Sequence, residues 1–207
     1  MKRLVFAVLL AVLLLATPLQ LFAAVTGAPL KTYECPFLLT SGGQGAGSKM
    51  LRLLVNQTKK MTYGEDADFF LEDETPARYG YIDSGKFKAL VIVISVTEKG
   101  LGASGITIED EIGFLKEVIK KAQAQNMPII AVSMEADARA PKIPTNGNER
   151  IIDLVCPVSD WIISLKANNA DGKFTRIGQE NNIPVTIIDK PFDLVSALPK
   201  IFIKKAN

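Results

Sequence analysis

The groups in this chain whose types and spacing suit chemistry sit just after apolar runs. Lys99 and Ser104 share the stretch Lys99-Gly-Leu-Gly-Ala-Ser-Gly105, and a Ser–Lys pair activates a hydroxyl nucleophile without an imidazole. Glu135 and Asp137 follow another apolar run, placed for general-base work, with Arg139 beside them to hold an anion. Ser41, Gln44 and Ser48 interleave with Gly42 and Gly43, offering hydroxyls and an amide to a polar molecule. Asn169 follows a further run, with Lys166, Asn168 and Asp171 near it. The 207 residues include no histidine. That removes imidazole acid–base catalysis, the Ser-His-Asp triad and every histidine metal site. Two cysteines are too few for a cysteine-rich zinc site. The acidic run Glu65–Glu74 lacks EF-hand spacing and reads as a solvated loop. No catalytic residue, metal or cofactor is therefore assigned. A hydrolase with Glu135 or Asp137 as its base, or one working through Ser104 and Lys99, is the enzymatic alternative.

The elements that must position these groups alternate in type. Apolar runs at Phe37–Ser41, Ala89–Ser95, Pro128–Met134, Trp161–Leu165 and Val185–Ile188 are short and β-branched, as strands buried on both faces are. Met61–Gly64 is a weaker candidate for an early edge strand. Between the runs lie helical stripes. Met50, Leu51, Leu54 and Val55 share one face. The longest helix starts at Thr107, with Asp110 completing a capping box and Ile108, Ile112, Leu115, Val118, Ile119 and Ala122 forming its stripe. Its acidic opening and its lysine-rich close complement the helix dipole. Shorter helices are expected at Asn148–Val155, Asp171–Gln179 and Phe192–Lys204, and Glu65–Lys88 as a loop plus a short helix. Such alternation predicts right-handed βαβ units. The fold class is α/β: a single doubly wound, mostly parallel sheet of five or six strands, in a flavodoxin-like three-layer sandwich with strand order 2-1-3-4-5.

Ligands in open α/β sheets sit beyond the carboxyl ends of the strands, where the strand order reverses. The expected site combines Ser41, Gly42, Gly43, Gln44 and Ser48 with Lys99, Gly100, Gly102, Ser104, Glu135, Arg139 and Asn169. The favoured reading is a small polar or anionic ligand. The alternative is that the glycines serve only tight turns. Neither loop matches a phosphate-binding P-loop, and Gly100-Leu-Gly-Ala-Ser-Gly105 matches the dinucleotide pattern only formally. Flavin is excluded as a cofactor because the loops Thr97–Gly105 and Glu135–Lys142 hold no aromatic residue. Trp161 opens a core strand and reads as packing.

The ends and the charge set the context. Lys2 and Arg3 precede an apolar run from Leu4 to Ala16, with small residues from Ala23 to Gly27, so residues 1–24 read as an export signal with a cut between 23 and 27. A retained anchor is the alternative. The expected address is periplasmic or extracellular. Twenty-four basic and 22 acidic residues give +2, which falls to zero without Lys2 and Arg3, so nothing points to nucleic acid. No membrane contact is expected beyond the leader. Docking on another envelope protein is the remaining alternative, and the oligomeric state is left open. Export favours a disulfide between Cys35 and Cys156, while three strand spacings of roughly 14 Å between their strands oppose it.

Four segments carry a family resemblance: Leu38-Leu-Thr-Ser-Gly-Gly-Gln44, Lys99-Gly-Leu-Gly-Ala-Ser-Gly-Ile106, Glu135-Ala-Asp-Ala-Arg139 and Asn169-Ala-Asp-Gly-Lys-Phe-Thr175. In them the chain resembles an uncharacterised family of secreted bacterial α/β proteins, a domain of unknown function, from Pro36 to about Ile203. The resemblance implies an α/β architecture over one domain, 36–203, and an exported address. It implies no catalytic residue.

Overall fold

The computed structural model describes residues 25–27, 31–62, 70–71, 82–135, 139, 143 and 146–203. In chain order the strands are β1 (Val25–Gly27), β2 (Tyr33–Glu34), β3 (Phe37–Gly42), β4 (Phe70–Leu71), β5 (Ala89–Ile94), β6 (Ile129–Ser133), β7 (Trp161–Leu165), β8 (Val185–Ile188) and β9 (Phe202–Ile203). The helices are α1 (Gly47–Thr62), α2 (Glu98–Ala103), α3 (Ile108–Ala124), α4 (Gly147–Val155), α5 (Lys173–Asn181) and α6 (Leu194–Ile201).

Every residue of β3, β5, β6 and β7 is buried, which is why these strands read as unbroken apolar runs rather than alternating ones. They form the centre of a sheet ordered β1-β8-β7-β6-β5-β3-β4. All its pairings are parallel except that of β1 with β8. Counting only the parallel strands, the order is the doubly wound 2-1-3-4-5 with β8 added as a sixth.

Successive side chains on a strand point to opposite faces, so each strand feeds two cores. Phe37, Leu39, Val91, Val93 and Val132 pack with Leu51, Leu54 and Val55 of α1 and with Leu194, Leu198 and Ile201 of α6. Leu38, Leu90, Ile92 and Ile162 pack on the other face with Leu115, Val118, Ile119 and Ala122 of α3, Ile151 and Ile152 of α4 and Phe174 and Ile177 of α5. Three layers result. Trp161 is a core residue as expected: it is fully buried, and its indole N–H donates to Thr186 Oγ1 at 3.0 Å.

Three expectations are corrected. Met61 and Thr62 end α1 rather than start an edge strand, and Tyr63 and Gly64 lie outside the described residues. The edge strand beside β3 is Phe70–Leu71, an apolar pair inside the acidic run, too short to stand out as a strand in the sequence. The predicted last helix stops at Ile201, and Phe202 and Ile203 instead pair parallel with Tyr33 and Glu34. Residues 1–24 and Asp137 lie outside the described residues. Among the described residues no helix is long and apolar enough to cross a membrane.

No disulfide joins Cys35 and Cys156. Cys35 packs beside Phe37 against the α1 and α6 core, whereas Cys156 is buried in the core of α3, α4 and α5. The sheet itself separates them, which resolves the disulfide question against a bridge more firmly than strand spacing does. Burial pushes the Cys156 thiol pKa up, far from a reactive thiolate.

Leu115 is completely buried where α3 crosses the sheet. Leu115→Ala should cost about 3–5 kcal/mol through lost burial and the cavity left behind. Thermal unfolding followed by circular dichroism should show the midpoint falling by roughly 6–20 °C.

Candidate functional site

The parallel pairing of β3, β5, β6 and β7 sends the following loop of each to one edge. Gln44, Lys99, Glu135, Arg139 and Asn169 therefore share the carboxyl edge, and Cys35 and Cys156, which precede β3 and β7, share the opposite one.

The first glycine loop is pressed onto the end of β5. Gly45 N–H donates to the Ser95 carbonyl at 2.7 Å, Ser95 N–H to the Gly42 carbonyl at 3.0 Å, and Gln44 bridges Val96 antiparallel. A Cβ at Gly45 would stand 2.0 Å from Ser95 Oγ, and one at Gly43 would stand 2.7 Å from Val96 Cα. A Cβ at Gly100 would meet the Gln44 carbonyl oxygen at 1.9 Å. These glycines permit backbone-to-backbone contact. Gly102 faces open space. The second stretch is not a loop: Thr97 caps α2, its Oγ1 accepting Gly100 N–H at 3.0 Å.

That contact occupies three N–H groups of the loop. Gly43 N–H donates to Glu111 Oε1 at 2.8 Å, Gly47 N–H to Ser95 Oγ at 3.2 Å, and Gln44 N–H to Ser41 Oγ at 3.0 Å. Ser48 is buried in the first turn of α1, and Lys99 is exposed on α2.

Two residues central to this edge escaped the sequence reading. Glu111 is wholly buried and reaches from α3 to hold Gly43 and the Gln44 side chain, whose Nε2 donates to Oε2 at 3.2 Å. It lies one turn before Leu115, so it belongs to the inward stripe rather than to the solvated acidic opening. That offset was the available signal. Ser95 is likewise buried, and its hydroxyl donates to Glu135 Oε2 while accepting from Gly47. Gln44 Oε1 in turn accepts from Ser104 at 3.5 Å.

Arg139, expected beside a ligand, bonds within the protein. A guanidinium has five N–H donors. Nε and Nη2 reach the two Glu149 oxygens at 2.8 and 2.9 Å, and Nη1 and Nη2 reach those of Asp171 at 2.9 and 3.0 Å. Nη1 also donates to the Asn168 carbonyl, so every donor is taken. The guanidinium stands 5.3 Å from the Phe174 ring centroid. Lys173 adds bonds to Glu149 at 2.9 Å and Asp153 at 2.6 Å. Burial alone would raise the Glu149 carboxyl pKa, but its hydrogen bonds to Arg139 and Lys173 outweigh that and hold it low. The Arg139 hydrogen bond draws Asp171 down to about 2 against its partial burial. Asn169 is also internal: its Oδ1 accepts Phe174 N–H at 3.0 Å and its Nδ2 donates to Thr175 Oγ1 at 2.7 Å, which ties the start of α5.

The geometry bears on the hydrolase alternative as well. Ser104 bonds to Gln44, and among the described residues Lys99 makes no hydrogen bond to it. Glu135, half-buried, accepts from the Ser95 hydroxyl, which itself lies under Gly45 and Gly47. Among the described residues no group of three ligating side chains is placed to hold a metal ion.

Gly45→Ala should lose about 1–3 kcal/mol to overpacking against Ser95, whereas Gly102→Ala, inside α2 and facing open space, should gain about 0.5–1 kcal/mol. Urea unfolding of both variants reads the contrast. Arg139→Ala leaves Glu149, whose side chain is 3% exposed, with Lys173 as its remaining cation and strips Asp171 of its guanidinium, and should cost about 3 kcal/mol near neutral pH. Glu149 and Asp171 titrate lower folded than unfolded, so their stabilisation is whole above about pH 4.5 and drains as pH falls toward about 2. The gap between wild type and Arg139→Ala should shrink over that acid range in urea titrations at stepped pH.

Comparison with known proteins adds a family and little else. No curated protein matches the chain. Among solved structures, the psychrotrophic esterase EstA from Pseudoalteromonas sp. aligns at 14% identity over 74% of this chain and 76% of that one, with a TM-score of 0.34. A superposition that loose carries no argument about fold or activity. The family model spans residues 34–202, both cores and the whole carboxyl edge, and the chain belongs to the family described as Domain of unknown function (DUF6305).

Proposed function

We propose that this domain, in an exported protein, binds a small polar ligand at the carboxyl edge, over the seam between the first glycine loop and α2. The observation that carries the reading is Gln44. Its φ of 59° lies in the left-handed region, where a turn ordinarily uses glycine or asparagine. Backbone held there by its surroundings is a recurrent mark of working sites. The side chain is held too, by Glu111 beneath and Ser104 beside, so one amide N–H remains to be offered at a fixed place.

The charge at this edge selects the ligand. With Arg139 consumed internally, Glu111 and Glu135 are bonded at the seam, and α2 carries Glu98 beside Lys99. A molecule bearing hydroxyl or amino donors suits that balance better than an anion does.

Thermal-shift screening of the exported chain tests this, with panels of neutral polyols, amines and phosphates. A ligand at a hundred times its Kd adds about 2.7 kcal/mol, or roughly 5–10 °C for a domain of this size. Gln44→Gly relieves the left-handed backbone while deleting the amide, so it should keep the fold and abolish the shift. Shifts by phosphates alone, or a hydroxyl-ligand shift unchanged in Gln44→Gly and Ser104→Ala, would reject the assignment.

A further inference from the structure

We propose that Asn148 is the positioning residue of this edge: its side-chain amide takes the place of a strand beside Val96 and so holds Gln44 where it stands. The inference rests on the reading of Gln44 as the ligand contact, and Asn148 acts on it through the backbone. Val96 follows β5 at a level where β6 no longer pairs, the last pair of that ladder being Val93 with Val132. On its other side Gln44 bridges it antiparallel. The bonds of that bridge come from flanking residues: Gly45 N–H donates to the Ser95 carbonyl at 2.7 Å, and Thr97 N–H to the Gly43 carbonyl at 3.4 Å. Backbone groups alternate in direction along an extended chain, so the N–H and C=O of Val96 itself point away from Gln44. A neighbouring strand would ordinarily meet them. Asn148 does so instead: its Oδ1 accepts Val96 N–H at 2.9 Å and its Nδ2 donates to the Val96 carbonyl at 3.0 Å.

A carboxamide carries a donor and an acceptor on one carbon, which matches the pair that a peptide presents. Its orientation is fixed, because Val96 N–H can only donate and the carbonyl can only accept. Asn148 is 3% exposed, so an unmatched polar group at this contact would be costly. The residue is itself held in place. Asn146 caps α4, its Oδ1 accepting Asn148 N–H at 3.0 Å. Gly147 lets the helix start press on the same valine, since a Cβ there would stand 2.7 Å from Val96 Cγ1. The charged groups around this turn bond to other partners: Glu149 to Arg139 and Lys173, Arg150 to Glu109, Glu111 to Gly43 and Gln44, and Glu135 to Ser95. A pinned helix end therefore fixes Val96 from one side, and Val96 fixes Gln44 on the other.

Asn148→Asp keeps the shape and changes the bonding. Its carboxylate accepts Val96 N–H but sets a second oxygen against the Val96 carbonyl, whereas the protonated acid can donate and restore the pair. That repulsion disfavours the charged form, so the introduced carboxyl should titrate above the ordinary value of about 3.9. The test reads hydrogen exchange and chemical shifts by NMR on the labelled full chain between pH 5 and pH 8. In the wild type, Val96 N–H should be protected although no strand lies beside it, and Gln44 resonances should hold still across that range. In Asn148→Asp at pH 8, Val96 protection should fall by about tenfold or more, as the loss of ordinary hydrogen bonds implies. Gln44 resonances should move, and Val91 in the middle of β5 should lose less protection. Acid should return both Val96 and Gln44 toward their wild-type behaviour. An unprotected Val96 in the wild type overturns the proposal, whether or not the variant folds. Unmoved Gln44 resonances in the variant at pH 8 also overturn it, as does a change that acid fails to reverse, which marks a packing defect. No readout uses a ligand, so an empty thermal-shift screen would reject the binding reading alone and leave the hold of Asn148 on Gln44 intact.

Discussion

Backbone contact between the end of β5 and the loop after β3 is the constraint on which the carboxyl edge depends. Ser95 sits at that seam, fully buried, with its amide, carbonyl and hydroxyl bonded to Gly42, Gly45, Gly47 and Glu135. Close approach of this kind tolerates no side chain on the opposing residues, so three alternate glycines face it. The start of α1, the left-handed Gln44 and the packing of α2 on the loop all follow from it. A small shift at Ser95 would disturb each of them, because packed interiors do not deform continuously.

A second cross-link acts on the other half of the edge. Arg139 ties the chain after β6 to α4 through Glu149 and to the start of α5 through Asp171 and the Asn168 carbonyl. Glu149 and Arg139 are nearly inaccessible, where a lone charge would be costly and a fully bonded one is tolerated. The same arrangement that makes Arg139 structurally expensive to lose occupies its five N–H donors. Charge at the edge is thus divided: the α4–α5 side is internally neutralised, and the Gln44 side keeps its carboxylates.

Exposure and commitment part company in this molecule. Lys99 and Ser104 stand near the surface, while Ser95 and Glu111, with chemistry just as capable, are buried beneath glycine backbone. Their hydrogen bonds hold the loop in shape. Gln44 is the residue where buried support and surface access meet.

The amino-acid sequence by itself determined the α/β class, the parallel order and the residues on the carboxyl edge. Burial on both faces demands continuous Ile, Val and Leu runs, and crossover handedness then admits few topologies. The capping box at Thr107 and the burial of Trp161 were legible for the same reason: both are local or compositional signals. What only the tertiary structure decided is which polar groups at that edge remain available. Arg139, Glu149 and Asp171 are far apart in sequence, and nothing in their spacing records that they neutralise one another. The edge strand Phe70–Leu71 was hidden because two residues carry no period, and a partner strand supplies the bonds that define it. Side-chain charge is written in the chain, but its freedom is set by neighbours that folding brings together.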